Sequence, residues 1–376
     1  MNNSPMSKWP IESSANVSDI PLSTRYGTHL AGHWFLHSGI QDPEGGVARY
    51  YRSDIKVNYG VSTEITGYTV SALVHLYKIT GASAYLNAAL RAGKFLIEKA
   101  WRPELDTYAF EYPEARAAYF FDCGIIARGL LSLYEATGQG CFFNGALAAG
   151  RSMARDFGPG PAFYPAISLP GKEPLPANGR WSRSPGCYQL KAAMAWQELF
   201  EKTGEVEFSK SYQALLDYSL QTHTGFLEEA TDRERLMDRL HAYCYFLEGL
   251  LPCATRPDCA RALKEGIVTV SLHLHELSTL FERSDVCAQL ARLRLYAAQM
   301  GIAPLDAAAV QQETSTIALY QIESPDPRLH GGFWFGRRHG QFLPFVNPVS
   351  TAFCVQTLEF TEKGQLKATL SYRTLL

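Results

Sequence analysis

The sequence predicts an all-α fold in which about six helical hairpins, or twelve helices, follow one another along the chain. Three observations carry the prediction. Apolar stretches with helical periodicity recur from Thr24 to Phe360. Three of them end in the dipeptide Thr-Gly, at Thr80-Gly81, Thr137-Gly138 and Thr203-Gly204, spaced by 57 and 66 residues. Each of these glycines is followed four residues later by an aromatic side chain, Tyr85, Phe142 or Phe208. That is the pattern of a helix C-cap after which the next helix packs back.

Taken in order, residues 1–22 form a polar leader, and residues 23–376 read as one domain. A first helix is expected over Thr24–His37. A Gly-rich, aromatic loop over 38–60 follows, without helical periodicity. Ser62-Thr-Glu64 then opens a helix that runs to Thr80-Gly81, and Ala84–Ala100 is its partner. The second copy runs from Asp122 to Thr137-Gly138 and continues as Phe142–Phe157. The third runs from Gly186 to Thr203-Gly204 and continues as Phe208–Thr222. Weaker copies are Arg239–Leu251 with Pro257–Leu277, and Asp285–Met300 with Leu305–Ile322. The last is Asn347–Phe360, for which the first helix is the outer partner. A second Gly-rich loop precedes Asn347 and echoes the first. Asp42-Pro43, Gly45-Gly46 and Arg49 match Asp326-Pro327, Gly331-Gly332 and Arg337. Closing the hairpins into a ring brings these two loops together at one end. An open solenoid of helix pairs is the alternative.

Composition narrows the function. The chain has 376 residues, 46% hydrophobic and 12% aromatic, with 19% charged and a formal net charge of -2. Such a balance does not predict a nucleic-acid partner, which would favour a basic face. There is no apolar run of membrane-spanning length and no apolar core in the leader, so neither a membrane partner nor a secretory signal is expected. The eight cysteines are scattered and form no CxxC. Buried free thiols in a reducing, cytoplasmic setting are the simplest reading. No GxGxxG, P-loop or GxSxG motif is present, so no nucleotide cofactor and no serine nucleophile is expected. His29, His33 and His37 share one helix face, but i, i+4, i+8 spacing is too long for one ion, and no metal is expected.

The phrases EITGYTVSALVHLYKITGASAYLNAA and FFDCGIIARGLLSLYEATG resemble the inner-helix, Thr-Gly, outer-helix units of six-hairpin, (α/α)6-toroid carbohydrate-active enzymes. Unsaturated-glucuronyl hydrolases, sugar epimerases and toroidal polysaccharide lyases are of this kind. The segment GGFWFGR…NPVSTAFCVQTL also resembles the Gly-Gly-aromatic units of toroidal terpenoid cyclases and prenyltransferases, although the Asp-rich run usual there is missing. The resemblance implies an (α/α)6 toroid with a funnel-shaped site at the starts of the inner helices.

Site candidates follow from that placement. Glu64 and Asp122 hold equivalent positions in consecutive repeats, and glycoside chemistry needs one protonated and one ionised carboxyl. Each also suits a helix first turn or cap. Tyr188 and His241 open the next two inner helices and are the candidates for proton abstraction in a lyase or epimerase. Lys191 is either a substrate contact or a solvated side chain. Arg49, Arg52, Arg183 and Arg337 are candidate substrate-carboxylate contacts. Trp181 and Trp334 are candidate stacking platforms, and Glu111 and Asn347 are further rim residues. The first expectation is a glycoside hydrolase acting on an oligosaccharide, with a uronic-acid-containing one in view. A lyase or epimerase is the second, and a toroid that binds glycan or protein without catalysis the third.

Overall fold

The computed structural model describes residues 22–114, 116–230, 232–362 and 370–376. The polar leader therefore lies outside the described residues, apart from Leu22. Twelve α-helices of the described residues pair as the repeat requires. The inner helices are α2 (Thr63–Thr80), α4 (Phe120–Thr137), α6 (Leu190–Thr203), α8 (Arg233–Gly249), α10 (Ser284–Gln299) and α12 (Pro348–Glu362). The outer ones are α1 (Leu22–His37), α3 (Ser83–Phe95), α5 (Gly140–Asp156), α7 (Val206–Phe226), α9 (Pro257–Leu277) and α11 (Ala307–Ala318). Each inner helix packs on the next, and α12 packs on α2, so the ring is closed. Helix α1 backs α12, as expected, and completes the sixth hairpin. The chain is an (α/α)6 toroid.

The Thr-Gly repeat has a physical cause. In each copy the threonine hydroxyl donates to the carbonyl four residues back and accepts the amide two residues on. For Thr80 these bonds are 2.7 and 3.2 Å, for Thr137 2.7 and 3.3 Å, and for Thr203 2.9 and 3.0 Å. The glycines close the helices in the left-handed conformation, with φ of 72°, 70° and 73°. One dipeptide thus satisfies the frayed end of an inner helix and turns the chain outward.

Inner helices are covered on every side, so their sequence reads as continuous rather than striped burial. In α4 every residue from Phe120 to Leu131 is buried. Outer helix α5 instead buries Phe142, Ala146, Ala149, Gly150 and Met153 along one face. The inner helices approach closely where side chains vanish. A Cβ on Gly124 of α4 would lie 2.4 Å from the Ala192 carbonyl oxygen of α6.

The two Gly-Gly loops meet at the ring's closing seam. Tyr51 and Arg52 pair antiparallel with Val346 and Phe345. The loops are also equivalent in their anchoring. Gly45 (φ 105°) and Gly331 (φ 88°) each sit where a Cβ would strike the backbone of an outer helix, at 2.3 Å from Arg91 O and 2.1 Å from Leu30 O.

Inside the ring, inner-helix charges are paired. Lys191 is completely buried, contrary to both expectations for it. It binds Glu248 Oε2 at 2.9 Å and the Leu376 carbonyl at 2.6 Å. Arg292 joins Glu248 Oε1 at 2.9 Å to Gln356 Oε1 at 2.8 Å. Segment 370–376 reaches these groups from the C-terminal ends of the inner helices, where Gln299 Nε2 holds the Leu370 carbonyl at 2.9 Å.

Gly124→Ala tests the close packing of the ring. Helix propensity alone favours alanine by about 1 kcal/mol, but the added methyl meets backbone that cannot swing aside. Overpacking should outweigh that gain and destabilise the fold by about 1–3 kcal/mol, read from urea unfolding.

Candidate active site

One cavity of about 490 Å³ opens at the N-terminal ends of the inner helices. Every inner helix or its entrance contributes to it. Glu64 and Ile65 come from α2, and Phe121 and Asp122 from α4. Tyr188 comes from the turn before α6, and His241 and Tyr245 from α8. Asp285 comes from α10, and Asn347 and Val349 from the start of α12. The short strands between hairpins form its upper wall with Arg49, Tyr50, Phe110, Glu111, Tyr119, Arg283 and Phe335. The loop before Tyr188 adds Arg180, Trp181 and Ser182.

Glu64 and Asp122 lie in the first turns of their helices, but neither is a cap. Ser62 caps α2, its hydroxyl accepting the Ile65 amide at 3.4 Å. The cap position of α4 is Tyr119, with no side-chain cap bond. Asp122 is buried, and its Oδ2 has no hydrogen-bond partner among the described residues. Desolvation in the cavity raises the Glu64 carboxyl to about 7, against the charge of Arg49. Burial, and then the charge of Glu64, holds Asp122 well above the usual carboxylate range, with Arg49 opposing both. Arg49 itself lies 4.7 Å over the Phe110 ring and 3.4 Å from Glu111 Oε1. No cation forms an ion pair with either carboxyl among the described residues, so at neutral pH the pair keeps a proton.

His241 sits on the other side of the ring. Its Nδ1 is 2.8 Å from Gln289 Oε1 and 3.7 Å from Asp285 Oδ2. Its ring meets Tyr245 edge to face at 4.4 Å. Burial first, and then the Arg283 guanidinium, push its pKa down to about 4. Asp285 is the opposite of Asp122. Burial disfavours its charge, but Arg283 grips both of its oxygens at 2.9 and 2.7 Å, and the pKa falls below the ordinary value. Arg283 also holds Asp238 at 2.8 Å and lies 4.4 Å over Phe335.

Tyr188 lines the cavity, but its hydroxyl donates to the Ser184 carbonyl at 3.2 Å. Trp181 packs edge to face on it at 4.9 Å. The Asn347 side chain caps α12 by accepting the Ser350 amide at 2.7 Å.

Four candidates are not brought to the cavity. Arg52 turns to Asp54 at 2.8 Å and lies over Phe345. Arg183 reaches the Tyr119 hydroxyl at 3.4 Å and the Pro176 carbonyl at 3.1 Å, one layer behind the wall. Trp334 stacks on Phe342 at 6.0 Å, and Arg337 pairs with Glu282 at 2.9 Å. Their neighbours Phe335 and Arg180 face the cavity instead. Residues the sequence reading missed are Arg180, Tyr245, Arg283, Asp285, Gln289 and Phe335. Asp285 carried a signal, since it heads an inner helix as Asp122 does. Among the described residues no group of three or more His, Cys, Asp or Glu side chains is arranged to hold a metal ion. No described helix is long and apolar enough to cross a membrane.

No protein-family model matches the sequence, and no curated protein matches it. Solved structures do match the fold. A cellobiose 2-epimerase from Spirochaeta thermophila DSM 6192 aligns with a TM-score of 0.69 at 14% identity, over 92% of this chain and 98% of that one. An unsaturated glucuronyl hydrolase from Bacillus sp. GL1, described as responsible for glycosaminoglycan degradation, aligns at 0.66 and 12% identity, over 91% and 97%. A polysaccharide lyase aligns at 0.56 and 12% identity, over 93% of this chain and 53% of that one. The chain shares the (α/α)6 toroid fold of these carbohydrate-processing enzymes.

Proposed function

We propose that the protein is a carbohydrate-active enzyme, a glycoside hydrolase acting on an oligosaccharide, with Asp122 and Glu64 as its acid and base. The observation that carries this reading is the pair of carboxyls sharing one cavity without an ion-pair partner. Two carboxyls pushed apart in protonation are what glycosidic hydrolysis requires. Burial and the charge of Glu64 favour the protonated form of Asp122, so in this reading it protonates the leaving glycosidic oxygen. Glu64 ionises near 7 and takes a proton from the attacking water. Arg49 and Arg180 supply cations for a carboxylate-bearing sugar, and Trp181, Tyr119 and Phe110 supply apolar faces for its ring. The toroidal enzymes that share the fold, named for work on cellobiose, mannose and glycosaminoglycan, support a carbohydrate substrate. A lining rich in ionisable groups speaks against a terpenoid-like ligand.

One observation favours a second reading. A neutral imidazole, His241, faces the same cavity, and such a group is suited to lifting a proton from a sugar carbon in an epimerase or lyase. Tyr188 supports that reading less, because its hydroxyl is engaged with Ser184.

An oligosaccharide screen for reducing-end release, unsaturated uronides and solvent deuterium at sugar carbons separates these readings. Hydrolysis predicts reducing ends without carbon-bound deuterium. Asp122→Asn and Glu64→Gln should each lower kcat by roughly 10²–10⁴-fold with the fold intact. Wild-type activity in both variants would exclude the carboxyl assignment. In the wild type, kcat/KM should rise with pH through a midpoint near 7 as the base ionises.

The same carboxyl makes a stability prediction. Its folded pKa, about 7, lies above its unfolded value, so the folded state binds more protons between them. The stability it contributes is therefore present at acid pH and lost as pH rises through 7. Between pH 5 and pH 8 the Tm of the wild type should fall relative to that of Glu64→Gln, and differential scanning calorimetry of the two proteins measures the gap.

A further inference from the structure

We propose that Gln289 is a positioning residue that clamps His241 in the tautomer whose Nε2 offers a lone pair to the cavity. The inference rests on reading this cavity as the active site, although the tautomer itself can be measured without substrate.

The geometry on the Nδ1 side of the ring carries it. Gln289 lies on α10, one turn below Asp285, and is completely buried. Its Oε1 is 2.8 Å from His241 Nδ1, and Asp285 Oδ2 is 3.7 Å from the same nitrogen. Two acceptors face that nitrogen, so the hydrogen of the neutral ring belongs on it. Nε2, the other nitrogen, has no hydrogen bond among the described residues, and the ring lines the cavity. Nε2 therefore meets a bound sugar as an acceptor. In the reading as a hydrolase it receives a sugar hydroxyl. In the second reading it takes the proton from carbon.

The Gln289 amide is the part with two possible orientations. Its Nε2 is buried without a partner among the described residues, an unfavourable state that the present orientation tolerates. Reversing the amide would point an N–H at His241 Nδ1 and remove the hydrogen from it. The Nδ1 lone pair would then face the Asp285 carboxylate, which Arg283 and the Ser350 hydroxyl, at 3.3 Å, hold in place and keep ionised. The carboxylate thus decides the orientation of the amide, and the amide decides the tautomer. The charged groups felt by His241 are Arg283, Asp285 and Glu248, and burial together with Arg283 keeps the ring neutral through the physiological range.

The test is ring ¹⁵N–¹H multiple-bond NMR on the full chain labelled in histidine, with His241→Gln to assign the signal. The wild type at pH 7 should show the Nδ1–H pattern. Gln289→Leu removes the only acceptor within hydrogen-bond distance of Nδ1 among the described residues and leaves Asp285 Oδ2 at 3.7 Å, so the Nε2–H fraction should rise and activity fall on the order of tenfold. Gln289→Glu retains an acceptor, so it should restore the Nδ1–H pattern while raising the pH at which His241 titrates. An Nε2–H pattern in the wild type, or one unchanged pattern in wild type and Gln289→Leu, would overturn the inference. Should Gln289→Leu not fold, the wild-type spectrum and the Gln289→Glu titration still decide it. Failure to turn over any sugar would count against the proposed function and leave the tautomer result standing.

Discussion

An inner helix of a closed ring has no solvent face. It is flanked by two inner neighbours, backed by an outer helix and turned inward on its fourth side. Every polar group on it must find a partner inside the ring or face the cavity, because an unpaired buried charge is too costly to keep. Lys191, Glu248, Arg292 and Gln356 meet this demand by binding one another across four neighbouring inner helices and the tail segment. Arg128 meets it with Glu198 at 2.8 Å and the Tyr372 carbonyl at 2.9 Å. At the mouth, Asp122 Oδ2 is buried without a hydrogen-bond partner among the described residues, and there polar chemistry has an outlet.

The mouth has two electrostatic halves. On one side Glu64 and Asp122 share a cavity wall without a paired cation, and the field of Arg49 is too weak to ionise both. On the other side Arg283 pairs with Asp285, and burial, with Arg283 second, depresses His241. Equivalent positions in the repeat thus carry opposite solutions. The carboxyls without an ion pair have raised pKa values, and the paired one stays ionised beside a neutral imidazole. Both halves hold a buried polar atom without a partner among the described residues, Asp122 Oδ2 in the first and Gln289 Nε2 in the second.

The ring and its closure were legible because the Thr-Gly cap has one mechanism repeated three times. Glu64, Asp122 and Tyr188 were legible as starts of inner helices and line the cavity; His241 lines it too, but from the middle of α8, which begins at Arg233 and not at Arg239 as the sequence suggested. The loops were not legible at the level of single residues. In an extended segment neighbouring side chains point to opposite faces, so Phe335 reaches the cavity while Trp334 turns out to Phe342. Arg337 was lost to Glu282, which comes from a strand more than fifty residues away. Gln289 could not be seen at all, since its meaning depends on a helix two positions earlier in the ring sequence. Lys191 misled because its partner, Glu248, lies on the next inner helix.

Helix dipoles sharpen the contrast between the two carboxyls. The inner helices all direct their N-terminal ends to the mouth, and positive dipole ends favour ionised acids. Asp285, in the first turn of α10, follows that preference with the help of Arg283. Glu64 and Asp122, in first turns as well, go the other way. Desolvation at both positions, joined at Asp122 by the charge of Glu64, therefore opposes the dipole preference. Both opposing effects depend on water being scarce, so any ligand that fills the cavity strengthens them. Under the proposed hydrolysis the acid would then be protonated whenever a sugar fills the site, which would tie its protonation to occupancy rather than to bulk pH alone.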